Sequence, residues 1–279
     1  MFFVAKRVEG LKDRSLKYYK AIIDTLFRTI PKKVTQMTTD DIRYYLAIRE
    51  TKDKVSKTTL DSERRILNGF FGWLSDEDYI SKNIVKPIKK IRTPKIKKKA
   101  FTETDIAKIK DACKQLGRPI EQKRGIALIE FLLSTGCRVA EISLLKKDDV
   151  DLDQRKAVVF GKGSKERTVY LNEVTKMRLL EYWEERNNDS EYVFCGIQKP
   201  FSQMCVSGLE IVVRNIGKLA NVPNCHPHRF RRTMATNALK RGMSVLDIQR
   251  MLGHESVETT KIYLDLDDTD LKYQHEKYM

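Results

Sequence analysis

One basic segment interrupted by prolines divides this chain of 279 residues. Between positions 82 and 99 the sequence holds nine basic residues, two prolines (Pro87 and Pro94) and no acidic residue. Proline breaks a helix and closely spaced lysines repel one another, so we expect an extended linker here. The chain should therefore fold as two domains. The predicted parts are a first domain, the linker, a second domain and a tail, at 1–82, 83–100, 101–264 and 265–279.

Positive charge is concentrated before and within that linker. The whole chain has 54 Lys and Arg against 38 Asp and Glu, a formal net charge of +16. Residues 1–100 hold 25 basic and 12 acidic side chains, against 29 and 26 in the remainder. An excess of this size favours a polyanionic partner, and nucleic acid is the first candidate.

The sequence gives no sign of a membrane span, a secretory signal or a metal site. No stretch approaches roughly 20 apolar residues, and the first ten residues lack a long apolar core. We therefore expect a cytoplasmic protein with no membrane partner. The five cysteines form no CxxC pair, and the run Cys225-His226-Pro227-His228 lacks a second ligand pair at finger-like spacing. Free thiols and no bound metal are expected.

Apolar periodicity predicts helices before the linker, at about 14–29, 40–50 and 57–75, with Thr39 and Ser56 as N-caps of the last two. After the linker, Thr102 begins a helix, and an apolar helix over 126–133 stops at Gly136. The segment KAVVFGKGSKERTVYL predicts a β-hairpin or a short sheet edge. Further helices are expected at about 173–187, 202–220, 229–241 and 245–251. The predicted fold is mainly α with a small β-sheet.

Four short motifs and a tyrosine occur in a fixed order in the second domain. They are TGCRVAEISLL, GKGSKER, HRFR, LGH and, nine residues after the last histidine, Tyr263. Their order and spacing resemble those of the tyrosine recombinases, the family of phage and transposon integrases and Xer recombinases. The resemblance spans about 98–264 and implies an α+β catalytic domain. The basic helical first domain is similar to the core-binding, DNA-binding domain of that family.

The chemistry of these residue types suits cleavage of a phosphodiester. Ionising a tyrosine at neutral pH costs about 4 kcal/mol, and the phosphate that it must attack is an anion. Arg138 and Arg231 offer paired donors that stay charged, so they can bind the phosphate and stabilise its transition state without a metal ion or a cofactor. Glu141, three residues after Arg138, is placed to orient that arginine. The resemblance assigns Tyr263 the role of nucleophile.

Histidine and lysine would move protons or bind the phosphate. His228 stands three residues before Arg231 on the same helix face, whereas His226 pairs in the same way with Arg229. Spacing to the LGH motif and the position directly after Pro227 favour His228.

The resemblance adds His254 as a second histidine and Lys162 as general acid on the 5′-oxygen, with Lys165 as the alternative. We expect Arg229 and Arg232 to contact the DNA backbone or solvent.

The motifs together predict a site-specific DNA recombinase. The family's reaction proceeds through a 3′-phosphotyrosyl intermediate and a Holliday junction without ATP, on double-stranded DNA that carries a recombination site. The resemblance implies a homotetramer, or a heterotetramer with a related recombinase, in which the acidic tail docks on a neighbouring protomer through Leu264, Leu266 and Leu271. Two alternatives remain open: a type IB topoisomerase, and a DNA-binding regulator without catalysis.

Overall fold

The computed structural model describes residues 1–93, 99–161 and 166–253. The chain divides into two compact units, Met1–Ile96 and Lys97–Met279. Each unit has its own apolar core.

The regular elements of the first unit's described part are all helices. Its helices are α1 (Phe2–Val8), α2 (Asp13–Thr29), α3 (Thr39–Thr51) and α4 (Lys57–Asp76). The three helices predicted from periodicity are present. The structure adds α1, whose Phe2 packs edge-on against Phe70 with ring centroids 5.1 Å apart. Helix α4 forms the centre of the core because its apolar residues recur every three or four positions and are buried, as Leu60, Leu67, Phe71 and Leu74 are.

Side chains cap the helices of this unit where the sequence provides them. Ser56 caps α4 as predicted, and its side chain accepts a hydrogen bond from the Thr59 N–H. The prediction for α3 was wrong by one residue, since Thr38 and not Thr39 is the N-cap. The Thr38 hydroxyl accepts from the Asp41 N–H, and the Asp41 carboxylate accepts from the Thr38 N–H at 2.9 Å. This reciprocal pair selects Thr38 because Asp41 lies three residues after it.

The segment after α4 packs on the first unit at least as far as residue 91, although the sequence suggested an extended linker from 83. Ile84 and Val85 are buried, and Ile88 and Ile91 pack against the same core. The Ile91 N–H also donates to the Asp61 carboxylate at 3.1 Å. Apolar residues alternate with the lysines here, so burial of the former leaves the latter in solvent. The exposed side chains form what we call the lysine ledge: Lys86, Lys89 and Lys90.

The second unit is built around one buried helix. Its helices are α5 (Glu103–Cys113), α6 (Pro119–Thr135), α7 (Val139–Leu144), α8 (Glu173–Arg186), α9 (Val206–Leu219), α10 (Pro227–Lys240) and α11 (Val245–Leu252). Helix α6 is apolar on most sides and packs against α5, α8, α9 and α10. It ends at Gly136, which adopts the left-handed conformation at φ 60° and so turns the chain toward α7.

A three-stranded antiparallel sheet lies beside these helices. It consists of β1 (Val150–Asp151), β2 (Lys156–Phe160) and β3 (Glu166–Tyr170), in that order. The hairpin of β2 and β3 confirms the prediction, and its connection at 162–165 lies outside the described residues. Ala157, Val159 and Val169 face the core, as the period of two requires. The described part of the chain is thus mainly α with one small sheet, which confirms the predicted fold class.

Candidate active site

The structure describes three of the six residues predicted to form the active site, and these are Arg138, His228 and Arg231. Lys162, His254 and Tyr263 lie outside the described residues, as do Lys165 and the leucines of the tail. The described site is therefore the part built by α7, α10, α11 and β3.

Arg138 stands at the N-cap of α7, as expected from its position after Gly136. Its backbone N–H donates to one oxygen of the Glu141 carboxylate at 2.7 Å, and its Nη1 donates to the other at 2.9 Å. The Glu141 side chain is buried with 2% exposed, whereas 32% of the Arg138 side chain is exposed. Glu141 thus holds the arginine from the protein side and leaves part of its guanidinium open to solvent.

Arg231 is buried, with 1% of its surface exposed, and lies in the second turn of α10. Its Nη1 donates to the carbonyl of Gly136 at 2.8 Å, and its Nη2 donates to the carbonyl of Leu252 at 2.6 Å. The Gly136 carbonyl belongs to the turn that leads directly to Arg138. The two arginines predicted to bind phosphate are therefore fixed by adjacent parts of the same turn.

The last turn of α11 gathers three arginines from three different elements. Carbonyls at the end of a helix have no partner within it and carry the negative end of its dipole, so they suit guanidinium groups. Three successive carbonyls each accept one hydrogen bond. The pairs are Arg167 Nε to Met251 (3.0 Å), Arg231 Nη2 to Leu252 (2.6 Å) and Arg138 Nη2 to Gly253 (3.2 Å).

Arg167 on β3 is part of this arrangement and was not identified from the sequence. Its Nη1 and Nη2 donate to the two oxygens of the Glu141 carboxylate, the latter at 2.8 Å. Burial opposes ionisation of Glu141, but the hydrogen bonds and charge of Arg167 hold the pKa of this carboxyl below its ordinary value. The period of two along β3 contained a signal, since it places Arg167 on the same inward face as Val169.

His228 lies in the first turn of α10, after Pro227, and His226 is the N-cap residue before it. His228 is exposed at the surface, and desolvation by the surrounding protein, together with the positive charges of Arg231 and Arg138, lowers the pKa of His228 below its ordinary value. His228 stands three residues before Arg231 on α10, so the two side chains share one face of that helix. At neutral pH the imidazole is mainly neutral and can donate or accept one hydrogen bond.

Arg229 differs from its expected role. Its guanidinium donates to the carbonyls of Pro223 at 2.7 Å and of Lys99 and Ala100 at 3.2 Å, and it stacks over the ring of Phe101 at 4.0 Å. The prediction of contact with DNA or solvent was therefore wrong for this arginine, because it fastens the start of the second unit to α10. Arg232 is half-buried.

All five cysteines are described as free thiols, four of them buried. Burial raises the pKa of Cys113 and of Cys225 to about 12. Within 1–93, 99–161 and 166–253, no group of three His, Cys, Asp or Glu side chains is arranged to hold a metal ion. Among the helices of those ranges, none has both the length and the apolar character that crossing a membrane requires.

Models of known protein families match both parts of the chain. A model of the phage integrase family matches residues 99–270, and a model of the N-terminal SAM-like domain of phage integrases matches residues 1–81. Tyrosine recombinase XerC of Leptospira interrogans is 29% identical over 244 residues, which cover 85% of this chain and 77% of the relative.

Two solved structures have similar folds. The crystal structure of a XerA recombinase is 26% identical, with a TM-score of 0.57 over 99% of this chain and 96% of that one. A lambda integrase tetramer bound to a Holliday junction is 17% identical, with a TM-score of 0.78 over 94% of this chain and 74% of that one. Because the integrase model matches well over half of the sequence, the chain belongs to the phage integrase family, the tyrosine recombinases.

Proposed function

We propose that this protein is a site-specific DNA recombinase in which Arg138 and Arg231 bind the scissile phosphate. The observation that carries the proposal is the meeting of Arg138 and Arg231 at the end of α11, with Arg138 partly open to solvent and with His228 three residues before Arg231 on α10. The two guanidinium groups are held by protein partners and supply positive charge, which stabilises the negative charge that a pentavalent phosphate develops. His228 adds a hydrogen bond to the same phosphate.

The reaction then follows from the residues that the motif order supplies. The Tyr263 hydroxyl attacks phosphorus, the bond to the 5′-oxygen breaks, and a 3′-phosphotyrosyl link forms. The leaving oxygen takes its proton from Lys162, or from Lys165, and becomes a free 5′-hydroxyl. His228 or His254 accepts the proton of the tyrosine. No bond energy is lost to water, so a 5′-hydroxyl from a partner duplex can reverse the steps and seal the strand without ATP.

Exchange of both strands requires two duplexes and therefore several protomers. We propose that four copies, or two copies and two of a related recombinase, assemble on paired sites and exchange strands through a Holliday junction. The lambda integrase tetramer bound to a Holliday junction, which has a similar fold, supports this proposal. The first unit and its lysine ledge would contact the phosphate backbone of each site. We expect the enzyme to act on DNA in the cytoplasm, as part of a mobile element or of a Xer-type system.

Covalent capture tests the proposal. The site is first selected from a library of random duplexes by binding, and nicked suicide duplexes that carry it are then incubated with the protein. We expect a covalent adduct that depends on Tyr263, together with joined products from two sites. Tyr263→Phe should abolish the adduct, while the matched change Tyr273→Phe should leave it.

The assay also separates the alternatives. An adduct accompanied by relaxation of supercoiled DNA, but without exchange between two sites, would favour a type IB topoisomerase. Specific binding without any adduct would leave only a DNA-binding regulator.

A further inference from the structure

Arg167 on β3 has no role among the proposed phosphate ligands, yet it lies at the centre of their support. We propose that Arg167 is a positioning residue for strand cleavage: it fixes Arg138 through Glu141 and ties the β2–β3 hairpin to the last turn of α11. This inference rests on the proposed function.

The first step is that Arg167 faces the protein and not a ligand. Only 12% of its side chain is exposed, and each of its three guanidinium nitrogens donates to a group of the second unit. Two of them hold the Glu141 carboxylate in a bidentate pair, and Nε holds the Met251 carbonyl at 3.0 Å. The bidentate pair with a carboxylate neutralises this guanidinium and would repel an incoming phosphate, whereas the terminal nitrogens of Arg231 donate to two backbone carbonyls.

The second step concerns the charge of Glu141. This buried carboxylate carries one negative charge and contacts two arginines. Because Arg167 pairs with both oxygens of Glu141, the negative charge of this carboxylate is divided between two arginines. Arg138 is therefore neutralised only in part and can still attract an incoming phosphate. Without Arg167, the full charge of Glu141 would act on Arg138 alone and compete with the phosphate for its guanidinium.

The third step is mechanical. Arg167 follows the connection that carries Lys162 and Lys165, and Met251 lies three residues before His254. The hydrogen bond between them therefore fastens together the two chain segments that lead to the remaining predicted catalytic residues. Gly253 is shaped for this contact: it has φ 63°, and an added Cβ would lie 3.0 Å from Arg167 Cδ.

The test separates cleavage from folding and binding. Single-turnover cleavage of the suicide duplex is measured with saturating protein, at a temperature where thermal melting shows every variant to be folded, and the Kd for the duplex is measured in parallel. We expect Arg167→Leu to slow cleavage about 100-fold, the usual effect of displacing a catalytic group by about 1 Å, with Kd little changed. Arg178→Leu is the matched control, since Arg178 also pairs with a glutamate, Glu181, on α8, where both side chains are well exposed.

A double variant tests the role of charge. Adding Glu141→Gln to Arg167→Leu removes the competing carboxylate, so cleavage should recover at least about tenfold, whereas independent effects would multiply. Arg167→Lys keeps the positive charge but cannot form the bidentate pair, so its cleavage rate should lie between those of wild type and Arg167→Leu. If Arg167→Leu does not fold, the lysine variant and the double variant carry the test. Cleavage by Arg167→Leu within about threefold of wild type would overturn the inference, as would the same result for Arg167→Lys or a double variant no faster than Arg167→Lys where the leucine variant does not fold. Absence of cleavage by the wild type would overturn the proposed function instead.

Discussion

Gly136 connects the buried helix α6 to Arg138 of the candidate site. The loss of stability on its replacement by alanine can be derived from the structure. The residue has φ 60°, a conformation that costs an L side chain roughly 1–2 kcal/mol. An added Cβ would lie 2.4 Å from Met234 Cε and 3.1 Å from Leu252 Cδ2. Overpacking of a core costs about 1–3 kcal/mol, but Met234 Cε is the end of a flexible side chain and can move. We therefore expect Gly136→Ala to destabilise the second unit by about 2–4 kcal/mol.

Fluorescence can measure this unit by itself. The chain has two tryptophans, Trp73 in the first unit and Trp183 in the second, so a Trp73→Phe background leaves one reporter for the second unit. Urea unfolding of that background with and without Gly136→Ala gives the difference in free energy. Because the Gly136 carbonyl holds Arg231, strand cleavage by the folded variant should fall as well.

The same substitution elsewhere should have the opposite sign. Gly69 lies exposed inside α4, and an added Cβ would meet no atom within 4 Å. Gly69→Ala, followed through Trp73 in a Trp183→Phe background, should stabilise the first unit by about 0.5–1 kcal/mol. A loss below about 1 kcal/mol for Gly136→Ala would refute the packing and backbone reasoning together.

Three further predictions concern pH, burial and salt. The pKa of His228 is lowered in the folded protein, so the unfolded chain binds more protons, and stability should fall as the pH is lowered from about 7.5 to about 5.5. His228→Gln should flatten that dependence in urea titrations. An imidazole that titrates by NMR at or above its ordinary pKa would contradict the prediction. Glu63 is buried and accepts from Tyr45 and Arg49, so Glu63→Gln should cost about 1–3 kcal/mol, whereas Glu50→Gln on the surface should cost less than about 0.5 kcal/mol. DNA affinity should fall steeply with salt, and changing the lysine ledge to glutamine should reduce the log–log slope by about 0.9 for each phosphate that the ledge neutralises; an unchanged slope would exclude the ledge from the interface.

Local patterns in the sequence predicted most elements because each depends on neighbours within a few residues. The apolar spacing of α4, the capping pair that begins α5 at Thr102 and the left-handed stop of α6 at Gly136 are all of this kind. Helix α1 was missed because it has only seven residues and no side-chain cap. The packing of residues 84–91 was not predicted either. The prediction rested on the density of lysines and did not weigh the apolar residues that alternate with them.

The sequence named candidate site residues, but it did not show which groups hold them in place. Arg138 and Glu141 are three positions apart, so their pairing could be expected. Arg167 meets Glu141 across 26 positions and Met251 across 84. Only the tertiary fold brings such pairs together, and Arg229 was misassigned for the same reason, because its carbonyl partners at Lys99 and Ala100 lie about 130 positions away.

The lysine ledge has a thermodynamic consequence for any polyanion that meets it. Its backbone is ordered by Ile84, Val85 and Ile88 against the core of the first unit. Ordering a residue of a flexible chain costs roughly 1–2 kcal/mol of backbone entropy at 25 °C, and here that cost is met when the unit folds. Binding then has to restrain only the lysine side chains. The basic segment was predicted to be an extended linker, but over residues 86–90 its lysines project from an ordered backbone and are therefore preorganised for binding.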